Sequence, residues 1–410
     1  MTNQAINGHV RSHPLYALML KLRPKAAGEC LPNAGQQAHA ALLAWLAAVD
    51  PALATRLHEP NNDRPFTCSS LWFPDERAVA LAQRENRRLT VLPAQTYWLR
   101  LTLLTDELFR TLIRRFLQPN LTPTIASTPG TSGTSGTSGA AQAGLPALRL
   151  GSVHFEVAEL VALAQPDEAS RALPTSWAGY DTYEALVERA GALDLAMPAA
   201  RTVGLLFRSP TAFSDGQQEW GKKMHLFPDP ERVFDRLARL WNAFAPEAFA
   251  LDVPALREYV AQWVAVSAYA LETRSLHFDR HAQVGFVGRC SYALMERAHP
   301  TNTTNRRNTT AAANVPVTLG AGLRPWQALH LLAAFAFYAG VGQKTTMGMG
   351  QARPLPPASI PLEMPAANIS RSAPKPLAQR STLTPARAAV PATESTGSAN
   401  AISPDDTAAV

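Results

Sequence analysis

Charge is scarce in this sequence. Asp, Glu, Lys and Arg make up 17% of 410 residues, against roughly 25% in soluble domains. Cysteine is scarcer: Cys30, Cys68 and Cys290 stand far apart. An odd, dispersed set excludes a disulfide framework and offers no pair at metal-ligand spacing, so a reducing cytoplasm is the expected setting. The longest early apolar run, Leu15 to Leu22, is short of the roughly 20 residues that cross a bilayer. The opening residues lack the basic, apolar and small-residue order of a signal peptide. A soluble chain without a membrane partner is expected. Glu-rich and Asp-paired metal motifs are missing, and His277 and His281 have no third ligand in view, so neither metal nor cofactor is expected.

Hydrophobic residues reach 46%, enough for a substantial core, and the length suits two ordinary domains or one large one. The net charge of +6 and pI of about 9.4 fit an anionic partner such as nucleic acid, although enzymes with neutral substrates share them. Three segments read as loops or disorder: the Gly/Ser/Thr repeat at 122–144, the polar stretch at 299–314 with Arg306 and Arg307, and the Ala/Pro-rich tail from 354 to 410.

The remainder forms two blocks, 14–160 and 199–353. In the first, PLYALMLKLRP reads as a strand, and GQQAHAALLAWLAAVDPALATRLHE as a helix broken at Asp50-Pro51 before a short second helix. Residues 64–73 and 88–104 read as strands, 105–117 as a helix with Thr105 as N-cap, and the stretch after the repeat as a strand again. The order β-α-β-β-α-β is ferredoxin-like. The second block repeats it with strands at 200–213, 265–278 and 282–294 and helices at 229–246, 254–263 and 324–340. The fold expected is α+β, two tandem ferredoxin-like domains.

Between the last helix and the last strand lies GVGQKTTMGMG, with Gly340, Gly342, Gly348 and Gly350 around Lys344, Thr345 and Thr346. The spacing departs from the phosphate-cradling G-x-x-x-x-G-K-[ST] loop, and this loop follows a helix where that one opens a helix. The dinucleotide fingerprint fails likewise. What remains is glycine backbone open to close approach, amides able to surround an anion, and one mobile cation. A polyphosphate chain such as RNA fits it.

This loop behind two ferredoxin-like units resembles the RAMP superfamily of CRISPR-associated proteins. Residues 35–71, FRSPTAF at 207–213 and GFVGRCSY at 285–292 narrow the resemblance to its repeat-RNA processing endoribonucleases. The resemblance implies a cytoplasmic, metal-independent endoribonuclease. It would cut CRISPR repeat RNA into guide RNAs by 2′-hydroxyl attack, leaving a 2′,3′-cyclic phosphate and a 5′-hydroxyl. That chemistry asks for a base, an acid and a cation, and histidine suits the first two. The resemblance points first to His58, at the end of the short helix, with Arg64 six residues on. His39 on the first helix is the competitor, or the partner in an acid–base pair. Family members often carry a tyrosine on this helix, where Trp45 stands here. Without chemistry, His58 caps a helix end and His39 is a half-buried core histidine. Lys344 with its loop neighbours, together with Lys222 and Lys223, are the expected RNA contacts. A second reading is a non-catalytic RNA-binding RAMP subunit of a CRISPR effector complex, which shares fold and loop.

Overall fold

The computed structural model describes residues 12–59, 63–118, 146–163, 174–219, 221–278, 282–296 and 318–356. The segments 122–144 and 299–314, and the tail beyond residue 356, lie outside the described residues.

The first half is built on strands β1 (Pro14–Pro24), β3 (Phe66–Cys68), β5 (Tyr97–Leu103) and β7 (Val153–Val161). They lie in the order β3-β5-β1-β7, all antiparallel, with β6 (Ala147–Leu150) added at the β7 edge. Helices α1 (Gly35–Ala47) and α4 (Asp106–Leu117) cover one face. Leu18, Leu20 and Leu22 of β1, with Leu18 opposite Leu101 and Leu20 opposite Leu99, join Leu99, Leu101 and Leu103 of β5 in the space beneath them. This is the βαββαβ arrangement. Asp50 caps the short helix α2 (Pro51–His58), accepting the Leu53 amide, and Pro51 stands at its first position.

The second half repeats the plan. Strands β9 (Thr202–Thr211), β12 (Val264–His277), β13 (Ala282–Leu294) and β14 (Ala352–Pro354) lie in the order β12-β13-β9-β14, also antiparallel. Helices α6 (Pro230–Phe244) and α7 (Val253–Trp263) follow β9, after a hairpin of β10 (Phe213–Gln218) and β11 (Gly221–His225). Helix α8 (Pro325–Ala339) buries residues around its whole circumference, as its largely apolar sequence, broken only by Gln327 and His330, requires. Both halves are ferredoxin-like.

Two local expectations needed correction. The stretch 88–104 is two strands, β4 (Leu89–Val91) and β5. Pro93 offers no amide between them, and the Gln95 amide turns back to the Leu92 carbonyl. β4 pairs with β2 (Gly28–Cys30), so the two pieces belong to different sheets. The strand expected over 64–73 shrinks to β3, after which the chain leaves the sheet and helix α3 (Glu76–Arg84) begins at an Asp75 cap. Thr105 does stand at the N-cap of α4, but its side chain makes no capping hydrogen bond.

The segment between the halves has structure of its own. Strand β8 (Gly179–Thr182) pairs with β1 of the first sheet, while Tyr183, Leu186 and Ala190 of α5 (Tyr183–Gly191) enter the core of the second half. Arg100 of β5 completes the seam. It is 1% exposed and donates to the Trp177 carbonyl (2.9 Å), Gln351 Oε1 (2.6 Å) and the Phe337 carbonyl (2.6 Å). Thr102 donates to the Tyr338 carbonyl, and Gln351 donates to Thr67. Burial pulls the Arg100 pKa down to about 9, which still leaves it charged at neutral pH. A buried cation bonded to neutral acceptors is costly to form and costlier to break. Arg100→Met is therefore expected to lose about 3 kcal/mol or more of stability in urea unfolding, because three acceptors lose their donor at once.

Candidate active site and nucleic-acid interface

The glycine loop belongs to the second half, yet it is anchored on the first. All four of its glycines have positive φ, from 67° at Gly340 to 98° at Gly348. Each also lies against the protein's own atoms. A side chain at Gly350 would sit 2.2 Å from the Val341 carbonyl oxygen, at Gly342 2.5 Å from that of Ala212, and at Gly348 2.7 Å from Asn33 Oδ1. Close approach is thus required of these glycines by internal packing. Many of the loop's amides are committed as well: Val341 donates to Gly350, Gln343 to Ala212, Gly348 to Cys68 and Gly350 to Pro210.

Helix α1 meets this loop at its first residue. Its Gly35 has a bare Cα that lets the Met347 carbonyl in; an added Cβ would lie 2.2 Å from that oxygen. Asn33 turns the chain into the helix, accepting the Gly35 amide on Oδ1 (3.1 Å). Its Nδ2 is buried without a partner. Gly348 bridges to Ser69 just beyond β3.

One helical turn on from Gly35, on the same face, comes His39, 7% exposed, its ring stacked at 5.5 Å on Phe66. The backbone of Thr346 in the loop lies near its imidazole and favours the protonated ring, the weakest of the influences on it. Nδ1 is buried without a partner. Burial, and after it the nearby positive charges of Arg64 and His58, pull its pKa down to about 4. His39 is accordingly neutral at pH 7 and available as a proton acceptor.

The structure brings the three candidates for catalysis together, in different settings. His58 is the last residue of α2 and exposed. Arg64 donates to the Leu57 carbonyl (2.9 Å) and the Glu59 carbonyl (3.3 Å), so it satisfies the end of α2. On the other side of the loop, Lys344 has left-handed backbone (φ 53°), and its ammonium lies 4.5 Å from the centre of the Phe278 ring. Lys222, on strand β11, donates to Gln343 at 3.2 Å. Burial, together with the Lys222 charge, lowers the Lys344 pKa. Lys223 is exposed on the same strand. Sequence patterning hid this arrangement, because it joins residues some 300 positions apart; Gly35, at a helix start with no turn to explain it, was the one local clue. Among the described residues no cluster of three or more His, Cys, Asp or Glu could hold a metal, and no helix is long and apolar enough to cross a membrane.

Gly35 tests the docking. Alanine favours a helix by up to about 1 kcal/mol over glycine, so Gly35→Ala should stabilise a free helix. Here overpacking against Met347 is expected to outweigh that gain, for a net loss of about 1–2 kcal/mol seen as a lower Tm. A raised Tm would show that the loop does not press on α1.

The comparisons with known proteins agree with this architecture. The family model for the CRISPR Cas6 N-terminal domain matches residues 14–142, and that for CRISPR-associated endoribonuclease Cas6 matches 205–352. Among solved structures, the Cas6 (TTHB231) product complex is 26% identical with a TM-score of 0.56, over 84% of this chain and 100% of that one. Thermus thermophilus Cas6 (TTHB231) shares the fold at 22% identity and a TM-score of 0.50, over 84% of this chain and 100% of that one. No curated protein sequence matches the chain. With both halves matched in order and the glycine loop inside the second match, the chain belongs to the Cas6 family of CRISPR repeat-RNA processing proteins.

Proposed function

We propose that this protein is a metal-independent endoribonuclease that cuts CRISPR repeat RNA once per repeat. The observation that carries the reading is His39: a neutral, buried imidazole whose Nδ1 has no partner, held against the glycine loop with Arg64 and His58 close by. The relative solved as a product complex, similar over most of this chain, supports RNA as the substrate.

In the reaction, His39 takes the proton of the 2′-hydroxyl. The oxygen then attacks the adjacent phosphorus, and the bond to the 5′-oxygen breaks. The leaving oxygen receives a proton from His58, whose exposed ring at the end of α2 can meet a strand laid along the loop. The products are a 2′,3′-cyclic phosphate and a 5′-hydroxyl. Arg64 has further N–H groups beyond those bound to Leu57 and Glu59, and with Lys344 it offsets the charge that gathers on the phosphorane. Lys222 and Lys223 add phosphate contacts along the hairpin, and the loop backbone from Gly340 to Gly350 shapes the floor on which the strand lies.

This ranking places His39 as the base and His58 as the acid. The sequence motif favoured His58 for the leading role; the contact with the loop favours His39. Arg64 as a helix-end ligand is the feature that suits the alternative, a non-catalytic RNA-binding subunit, since a purely structural role accounts for its two hydrogen bonds.

Repeat RNA incubated with the protein in excess EDTA is expected to be cut at one position. His39→Ala should slow single-turnover cleavage by about a hundredfold or more, and His58→Ala by a smaller factor, with RNA affinity nearly unchanged. Because a base works only when unprotonated, the rate should fall on acidification through about pH 4, where His39 takes its proton. An ordinary imidazole would give that fall near 6.5. Loss of cleavage in EDTA, or His39→Ala at wild-type speed, would overturn the mechanism.

A further inference from the structure

One side chain inside the glycine loop has no task in the chemistry above. The backbone amide of Gln343 donates to the Ala212 carbonyl (3.0 Å), at the base of the β10–β11 hairpin. Its side chain, half-buried, reaches further along the same hairpin. There Gln343 Oε1 accepts the Lys222 ammonium at 3.2 Å, and Nε2 donates to Met224 Sδ, a weak acceptor, at 3.6 Å. Nε2 also donates to Gln283 Oε1 on β13, at 2.8 Å. A single residue thus joins the loop, the hairpin and the sheet, all within the second half.

The polarity of this arrangement is fixed by chemistry. An ammonium can only donate, so the atom that faces Lys222 is the amide oxygen, and the amide nitrogen is left for Gln283. Lys222 is exposed. An exposed lysine spreads over many rotamers, and ordering it costs up to about 2 kcal/mol. Gln343 does that ordering before any ligand arrives. Its amide is neutral, so it holds the ammonium without cancelling the charge, which a carboxylate would cancel. The charge of Lys222 also reaches Lys344, whose pKa it lowers after the larger effect of burial. Holding like charges near one another costs free energy in the free protein, and an anion lying along both offsets that cost.

We propose that Gln343 is a positioning residue: its side-chain amide holds the Lys222 ammonium beside Lys344, so that both cations meet the same stretch of RNA backbone. The proposal rests on the reading of these lysines as RNA contacts. Gln343 acts through Lys222 and takes no part in breaking the bond. Its effect is on affinity, through a cation set in place in advance.

Two arms test this on the full chain. The first uses no RNA: the Lys344 side chain is titrated by carbon-13 NMR. Lys222→Ala should raise the Lys344 pKa in the wild-type background and leave it unmoved in Gln343→Leu. An equal rise in both backgrounds would overturn the proposal. The second arm measures affinity for repeat RNA against salt concentration. Lys222→Ala should weaken binding about tenfold and reduce the slope of log affinity on log salt by about one. Gln343→Leu should weaken binding about fivefold with the slope kept, because the ammonium is still present, and adding Lys222→Ala should then cost only about twofold more. Gln343→Glu should match Lys222→Ala in affinity and slope, since its carboxylate neutralises the ammonium. Lys223, whose side chain leaves the opposite face of the strand, is the control: its replacement by Ala should cost the same in either background. Fully additive losses for Gln343→Leu and Lys222→Ala, or wild-type binding by Gln343→Glu, would overturn the proposal. Failure of the underlying reading looks different: the wild type would leave repeat RNA unbound or uncut while the coupling in the NMR arm persisted.

Discussion

The contact on which this molecule turns is a steric one, the Met347 carbonyl resting on the bare Cα of Gly35. It brings a loop of the second half onto the first helix of the first half, close enough that any side chain at position 35 would collide. From it follow the bridge of Gly348 to Ser69 and the withdrawal of His39 from water. Neither ferredoxin-like unit could make such a site alone. One supplies the imidazole, the other the lid of backbone and the lysines.

The seam holds the two units in that register. Arg100 ties the first sheet to helix α8 and to Gln351, immediately after the loop, so both ends of the loop are fixed by groups that also grip the first half. Strand β8 and helix α5 add a covalent path, one joining the first sheet and the other the second core. Rigidity of this kind would serve the proposed transesterification, in which a base, a phosphate and a leaving oxygen must be brought into line.

Much of the fold was legible in the sequence, because amphipathic period and caps are local signals. Leu42, Trp45 and Leu46 mark the buried side of α1, Asp50-Pro51 marks the break, and 324–340 reads as a helix ending at Gly340. What escaped was decided by partners distant in sequence. The split of 88–104 depends on which strand each piece meets, and the linker strand β8 has too little apolar pattern to stand out. At the site, the loop was visible and its reason was not. Close approach was expected at its glycines, but the atoms that crowd them come from Ala212, Asn33 and the loop itself. The motif drew attention to His58, while burial, which no motif reports, distinguishes His39. Arg64 beside His58 was legible by spacing; its bonds to the end of α2 were not.

The central claim is that docking of the loop places a neutral, desolvated imidazole at the site, and the titration of that one ring tests it most directly. Heteronuclear NMR of the His39 side chain, followed from pH 3 to 8 in the folded protein, is expected to show protonation near pH 4, and a return toward the ordinary imidazole range of about 6.5 in Gly35→Ala. Titration of the wild-type ring at the ordinary value would contradict the account, because it would mean that the ring stands in water and the loop does not cover it.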